Sequence, residues 1–346
     1  MMSETNVPPV PEPPSSGPGL PAPTPQEPLE RIVTKIFLGS NGIRAGWRLT
    51  IFVVVLSALL AGFGFVTLAL NHGNIPQPQA HGELTPGMAL SNEAIPFFLV
   101  LLASFVMAKI EGRRIADYGL PLRRAFRGQF WQGLAIGFAS ITVLLGVLHV
   151  CGAFQFGAIA LHGLELWKYA ALWGLCFLFV AFFEEFTFRG YSLFTLTTGM
   201  TFWPAAIAMS VVFGLVHHTN PGESWMGVFT VVIVGLLCCL LVRRTGDLWM
   251  PIGFHAAWDW GETYFYGVPD SGLLARGHLF NSTSSGPVWL TGGSVGPEGS
   301  WLCVVLLVIL WVVFALWLRE KKYPNPDALL NPRWARRPAE SLSLHL

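Results

Sequence analysis

The sequence predicts an all-α, polytopic membrane helix bundle of about eight transmembrane helices, and three observations carry that reading. Apolar residues make up 53% of the 346-residue chain and charged residues only 12%, with a mean hydropathy of +0.53. A soluble domain carries roughly 25% charged residues. Eight apolar segments reach or approach the length of about 20 residues that crosses a bilayer. If all eight cross, eighteen of the 21 Lys and Arg residues fall on one side, the asymmetry expected of the cytoplasmic face.

Taken in order, residues 7–28 hold ten prolines among Ser, Gly and Glu. That composition buries no core, so residues 1–30 read as a disordered proline-rich tail. Residues 32–48 mix apolar and basic side chains and suit the membrane surface. The spans follow at 49–70, 88–108, 131–153, 169–188, 202–216, 225–242, 248–265 and 301–317. The fifth and seventh are short or interrupted by His, Asp and Gly, which suits interior helices better than lipid-facing ones. Residues 267–300 form a loop rich in Gly, Ser and Pro, opposite the basic face. It contains Asn281-Ser282-Thr283, a glycosylation acceptor by pattern alone. The expected division is a tail at 1–30, a membrane domain at 31–320 and a cytoplasmic tail at 321–346. Both termini are expected in the cytoplasm, and the bilayer is expected to be a bacterial inner membrane.

A net charge of +1 leaves no basis for a nucleic-acid partner. The five cysteines lie in or beside apolar spans without a CxxC pair, so they read as small core residues. No internal repeat is evident, so the inverted-repeat signature of many transporters is missing.

The chemistry sits in the weak spans and the one before them. Glu184, Glu185 and Arg189 lie inside an apolar run, where one charge costs on the order of 3 kcal/mol on insertion scales. Glu185 and Arg189 are one helical turn apart and share a face, so they are expected to form an ion pair. Glu184 points about 100° away and is left for another partner; a desolvated carboxylate there suits proton transfer. His217 follows Phe213 by one turn, and Asp259 follows His255 by one turn. Asp259 is placed to fix the tautomer of His255 or to pair with its cation. Small Gly253, Ala256 and Ala257 suit close helix packing around it. His218 points elsewhere and reads as a boundary residue.

The order Glu184-Glu185-x-x-x-Arg189, Phe213-x-x-x-His217, His255-x-x-x-Asp259 resembles the CPBP intramembrane proteases, over about residues 90–265. These include the type II CAAX prenyl endopeptidases and the bacteriocin-processing or Abi proteins. The resemblance implies an intramembrane endopeptidase acting on membrane peptides or lipidated proteins. It implies that Glu184 and His217 activate water, while His255 and the residue four on support the oxyanion. The prenyl protease has Asn where this chain has Asp259. An ionised Asp has no donor and repels negative charge. Asp259 then acts protonated or by orienting His255, which favours a bacterial member with a substrate other than a eukaryotic prenyl protein. The family has been read as metalloproteases, and Glu184, His217 and His255 would make a three-ligand zinc site. The chain lacks HExxH, and the metal-free glutamate–histidine route is the one expected, with no cofactor. The alternatives are a non-catalytic scaffold or immunity protein and a proton-coupled transporter. If every span crosses, Glu184 and His217 sit at different depths. They then meet only if the fifth span is tilted, broken or re-entrant around Gly214.

Overall fold

A computed structural model describes residues 32, 35–39, 42–70, 72, 83–220, 222–319 and 323–324. The tail expected at 1–30 lies outside the described residues, as does all of 321–346 except 323–324. Every apolar segment forms helix. The helices are α1 (Ala45–Leu70), α2 (Pro86–Ile110), α3 (Gly128–Val150), α4 (Gly163–Glu185), α5 (Leu193–Met200), α6 (Phe202–His217), α7 (Trp225–Thr245), α8 (Trp249–Asp259) and α9 (Trp301–Trp317). Pro86 opens α2, where its missing N–H is no loss. The Ser224 and Ser300 hydroxyls cap α7 and α9 by accepting from Gly227 and Cys303. By length and composition, α1, α2, α3, the α4–α5 rod and α7 are each able to cross a membrane, and α6 and α9 are shorter apolar helices. The protein is an all-α membrane bundle.

The fourth span departs from expectation. Instead of ending near residue 188, helix continues through Phe186–Ser192 and α5 as one rod, Gly163–Met200. Polar Thr and Ser residues make 190–200 look like a loop in the sequence, but the rod absorbs them. Thr197 donates to the Leu193 carbonyl and Thr198 to that of Thr195, so their hydroxyls are satisfied within the helix.

That extension removes the depth problem. Sixteen residues separate Glu184 from Met200, and α6 is itself 16 residues long, about 24 Å in each case. The chain turns at Thr201 and α6 brings His217 back to the level of Glu184. No break occurs at Gly214; α6 is continuous there. Gly214 instead lets α6 close on α7, since a Cβ would lie 2.6 Å from Val232.

The seventh span packs on α3 through glycines. A Cβ on Gly133, Gly137 or Gly253 would come within 2.2 Å of backbone oxygens of Met250, Phe254 and Phe130 respectively. The two backbones therefore touch, which fixes the rotation of α8 and the direction of His255. The 267–300 loop is ordered and fastened at two points. Leu274–Ala275 pairs in parallel with Glu83–Leu84, and Thr283–Ser284 pairs antiparallel with Phe154–Gln155.

Candidate active site

Glu184 and Glu185 end α4, immediately before a seven-residue π-helical segment, Phe186–Ser192. Within it Gly190 leaves helical geometry (ψ −108°). A Cβ there would meet the Phe186 ring at 2.7 Å. The wider turn re-aims the side chains on either side of it. Arg189, fully buried, reaches back to Glu185, Nη1 to Oε1, over 3.3 Å. Its guanidinium lies over the Phe213 ring, 4.0 Å from the centroid. Phe213 thus stacks on the arginine and holds the histidine one turn on, because its carbonyl accepts from His217 Nδ1 at 2.9 Å.

A carbonyl only accepts, so Nδ1 of His217 carries the proton and Nε2 is left with its lone pair. That Nε2 faces Glu184 Oε1 at 3.8 Å. The gap is too long for a direct hydrogen bond and suits a water held by both groups. His255 projects between the two glutamates. Its Nδ1 meets Glu185 Oε1 at 3.0 Å, and its Nε2 meets Asp259 Oδ2 at 3.3 Å and Glu184 Oε2 at 3.5 Å. All six residues singled out in the sequence come together. The expected Glu185–Arg189 pair is present, and His218 stacks on Trp225 away from the cluster.

Around them lies a cavity of ≈ 270 Å³ lined by Glu184, His217, His255 and Asp259. Asn92 and Glu93 of α2 line it too, as do Asp270, Ser271 and Glu298 of the 267–300 loop. None of these five was read from the sequence. Glu93 had a signal, a carboxylate inside an apolar span; the loop residues had none. Burial, then the charge of Asp259, pushes the Glu298 carboxyl up to about 7. The same two causes raise Asp270 well above the usual carboxylate range, and burial raises Glu223 beside the neck of α7.

Glu184, His217 and His255 are the residues that would hold a zinc ion. Both nitrogens of His255 face carboxylate oxygens. Among the described residues, the trio that brings one ligand atom each within 4.8 Å of the others is Glu262, Asp270 and Glu298, not this set.

Comparison with known families places the geometry. Residues 166–261, from α4 to just past Asp259, match the family described as Type II CAAX prenyl endopeptidase Rce1-like. This segment is similar to CAAX-protease domains. It includes both glutamates, the arginine, both histidines and Asp259, and its family is one of intramembrane endopeptidases. Comparison with curated proteins gives no match. The matched segment lies in a bundle with five helices long and apolar enough to cross a membrane, so the protein is an integral membrane protein.

Proposed function

We propose that the protein hydrolyses a peptide bond of a membrane-associated, lipid-linked substrate, using water activated by Glu184 and His217 without a metal. The observation that carries this is the 3.8 Å approach of His217 Nε2 to Glu184 Oε1, with Nδ1 locked on the Phe213 carbonyl. A water bridging them gives its proton to Glu184 as its oxygen bonds to the scissile carbonyl carbon. Charge then passes from Glu184 to the substrate oxygen. A neutral Glu184 holds the Nε2–H of His255 less firmly, which frees that proton to bond the oxyanion. Collapse breaks the C–N bond, and the proton on Glu184 goes to the leaving amine. The water's second proton passes from the new carboxylic acid to the amine, so the products are a carboxylate and an ammonium, and the enzyme is restored.

A second cavity, of ≈ 570 Å³, supports the lipid-linked substrate. It lies across α8 from His255 and is lined by Phe130, Leu134, Phe138, Leu178, Ala257 and Trp260 among others. Its apolar walls suit an isoprenoid or acyl chain. A bacterial inner membrane with cytoplasmic termini completes the reading.

The test uses purified full-length protein in nanodiscs. A peptide ending in a prenylated cysteine and three further residues is compared with its unprenylated form. Release of the tripeptide is expected from the prenylated peptide, falling at least about 100-fold in Glu184→Gln. The transition-metal chelator 1,10-phenanthroline should leave the rate unchanged. Cleavage at the native rate by Glu184→Gln would overturn the glutamate mechanism, and loss of activity that zinc restores would overturn the metal-free one.

A further inference from the structure

The carboxylates of Glu262, Asp270 and Glu298 have no part in the chemistry above, yet they converge. One oxygen from each lies within 4.8 Å of the others. Glu262 comes from the π-helical segment Trp260–Tyr266 that follows α8, and the other two come from opposite ends of the 267–300 loop. Among the described residues, no ion pair joins any of the three to a basic side chain. The donors they have are neutral. The Trp258 indole N–H is shared between Glu262 Oε2 at 3.0 Å and Glu298 Oε1 at 3.1 Å. Thr263 donates to Asp270 Oδ2 at 3.0 Å, and Ser271 to Glu298 Oε2 at 2.9 Å.

Glu262 is 0% exposed, and its Oε1 is buried with no partner among the described residues. Gly296, at a φ of +99°, passes beside that atom, close against the Pro269 carbonyl, which a Cβ would meet at 2.0 Å. A buried carboxylate with an orphaned oxygen, grouped with two other acids, needs a cation or a proton. One oxygen from each of the three acids lies within reach of a single cation. Oxygens held at 2.3–2.6 Å around calcium stand no more than about 5 Å apart, whereas the magnesium shell is tighter. An all-oxygen donor set likewise suits a hard ion rather than zinc. Asp270, Ser271 and Glu298 line the ≈ 270 Å³ cavity. The cavity supplies a route in and room for the water ligands that complete the shell.

We propose that Glu262, Asp270 and Glu298 bind a hard divalent cation of the calcium type, which clamps the 267–300 loop to the end of the seventh span and fixes one wall of the candidate active site. The site is independent of the proposed peptidase chemistry, and its test reads binding rather than cleavage.

Terbium is the probe, because Trp258 already touches two of the three carboxylates and will sensitise its emission. Purified full-length protein, freed of divalent ions, is titrated with terbium under tryptophan excitation. Calcium and then magnesium are used to displace it, and thermal unfolding is followed with and without calcium. One saturable terbium per chain is expected, displaced by calcium at lower concentration than by magnesium, with a higher Tm in calcium. Asp270→Asn and Glu298→Gln should each weaken binding at least tenfold, while Glu184→Gln leaves it unchanged. No saturable emission from folded native protein would overturn the proposal. So would native affinity in the Asp270→Asn/Glu298→Gln double variant, or a Tm that follows pH but not calcium. Should either variant fail to fold, the titration and Tm of the native protein decide alone.

Discussion

Glu185 Oε1 is the atom on which the first and third motifs converge, since it faces Arg189 Nη1 at 3.3 Å and His255 Nδ1 at 3.0 Å. Its role is to position: it orients the imidazole, while the arginine pairs with it where both side chains are buried. Removing the arginine leaves that buried carboxylate with His255 as its remaining partner, which costs up to about 3–5 kcal/mol. Arg189→Ala is therefore expected to lower the Tm in detergent sharply, and to lose activity by letting His255 move. A variant that unfolds at the native temperature yet is inactive would make the arginine a substrate-binding group instead. Glu184, Glu185 and Arg189 were legible because charge inside an apolar run needs a reason. The same argument applied to Glu93 and Glu262 would have found both, because each interrupts an apolar helix. Asp270 and Glu298 carry no such mark, since acids in a Gly- and Ser-rich loop look solvated until the loop folds back.

Two of the three motif-bearing helices pass into π-helix, α4 directly after Glu185 and α8 directly after Asp259, at Phe186–Ser192 and Trp260–Tyr266. The sequence shows the 3.6-residue period on which Glu185–Arg189 and His255–Asp259 were paired, but nothing in it marks where the period widens. Helix ends were misread for a related reason. The Thr-rich stretch after Gly190 is polar by composition and helical only because its hydroxyls bond back to the rod. The glycines of the α3–α8 seam offer a test of how much the site depends on helix position. A Cβ on Gly137 would fall 2.1 Å from the Phe254 carbonyl oxygen, one residue before His255, whereas one on Gly146 meets nothing within 4 Å. Overpacking of this kind costs about 1–3 kcal/mol. Gly137→Ala is expected to lower both Tm and activity, and Gly146→Ala, on the same helix, neither. Equal behaviour of the two variants in thermal unfolding and cleavage assays would remove the seam from the account of how His255 is aimed.

Across the whole molecule, the site depends on the far end of the α4–α5 rod, because α6 turns back from there to deliver His217. A second buried polar cluster anchors that end. Glu111, just past α2, pairs with Arg48 of α1 and with Arg113, each at 3.2 Å, and accepts from the Tyr191 hydroxyl at 2.7 Å. Arg48 also bonds Thr198 of α5. One carboxylate thus ties α1, α2 and the rod together, at a place the charge pattern presents only as part of a basic face. Its two arginines are nearly excluded from solvent, with side chains 8% and 4% exposed, so screening does little to weaken the pairs. Glu111→Ala leaves both without this carboxylate and is expected to cost about 3–5 kcal/mol. The expected reading is a large fall in Tm, with cleavage near the native rate when assayed well below the new transition, because Glu111 does not line the cavity. Glu111→Gln keeps the acceptor for Tyr191 but not the charge, and should fall between the two. If Glu111→Ala kept its Tm while cleavage collapsed, the cluster would be part of the catalytic path and not the anchor from which α6 is hung.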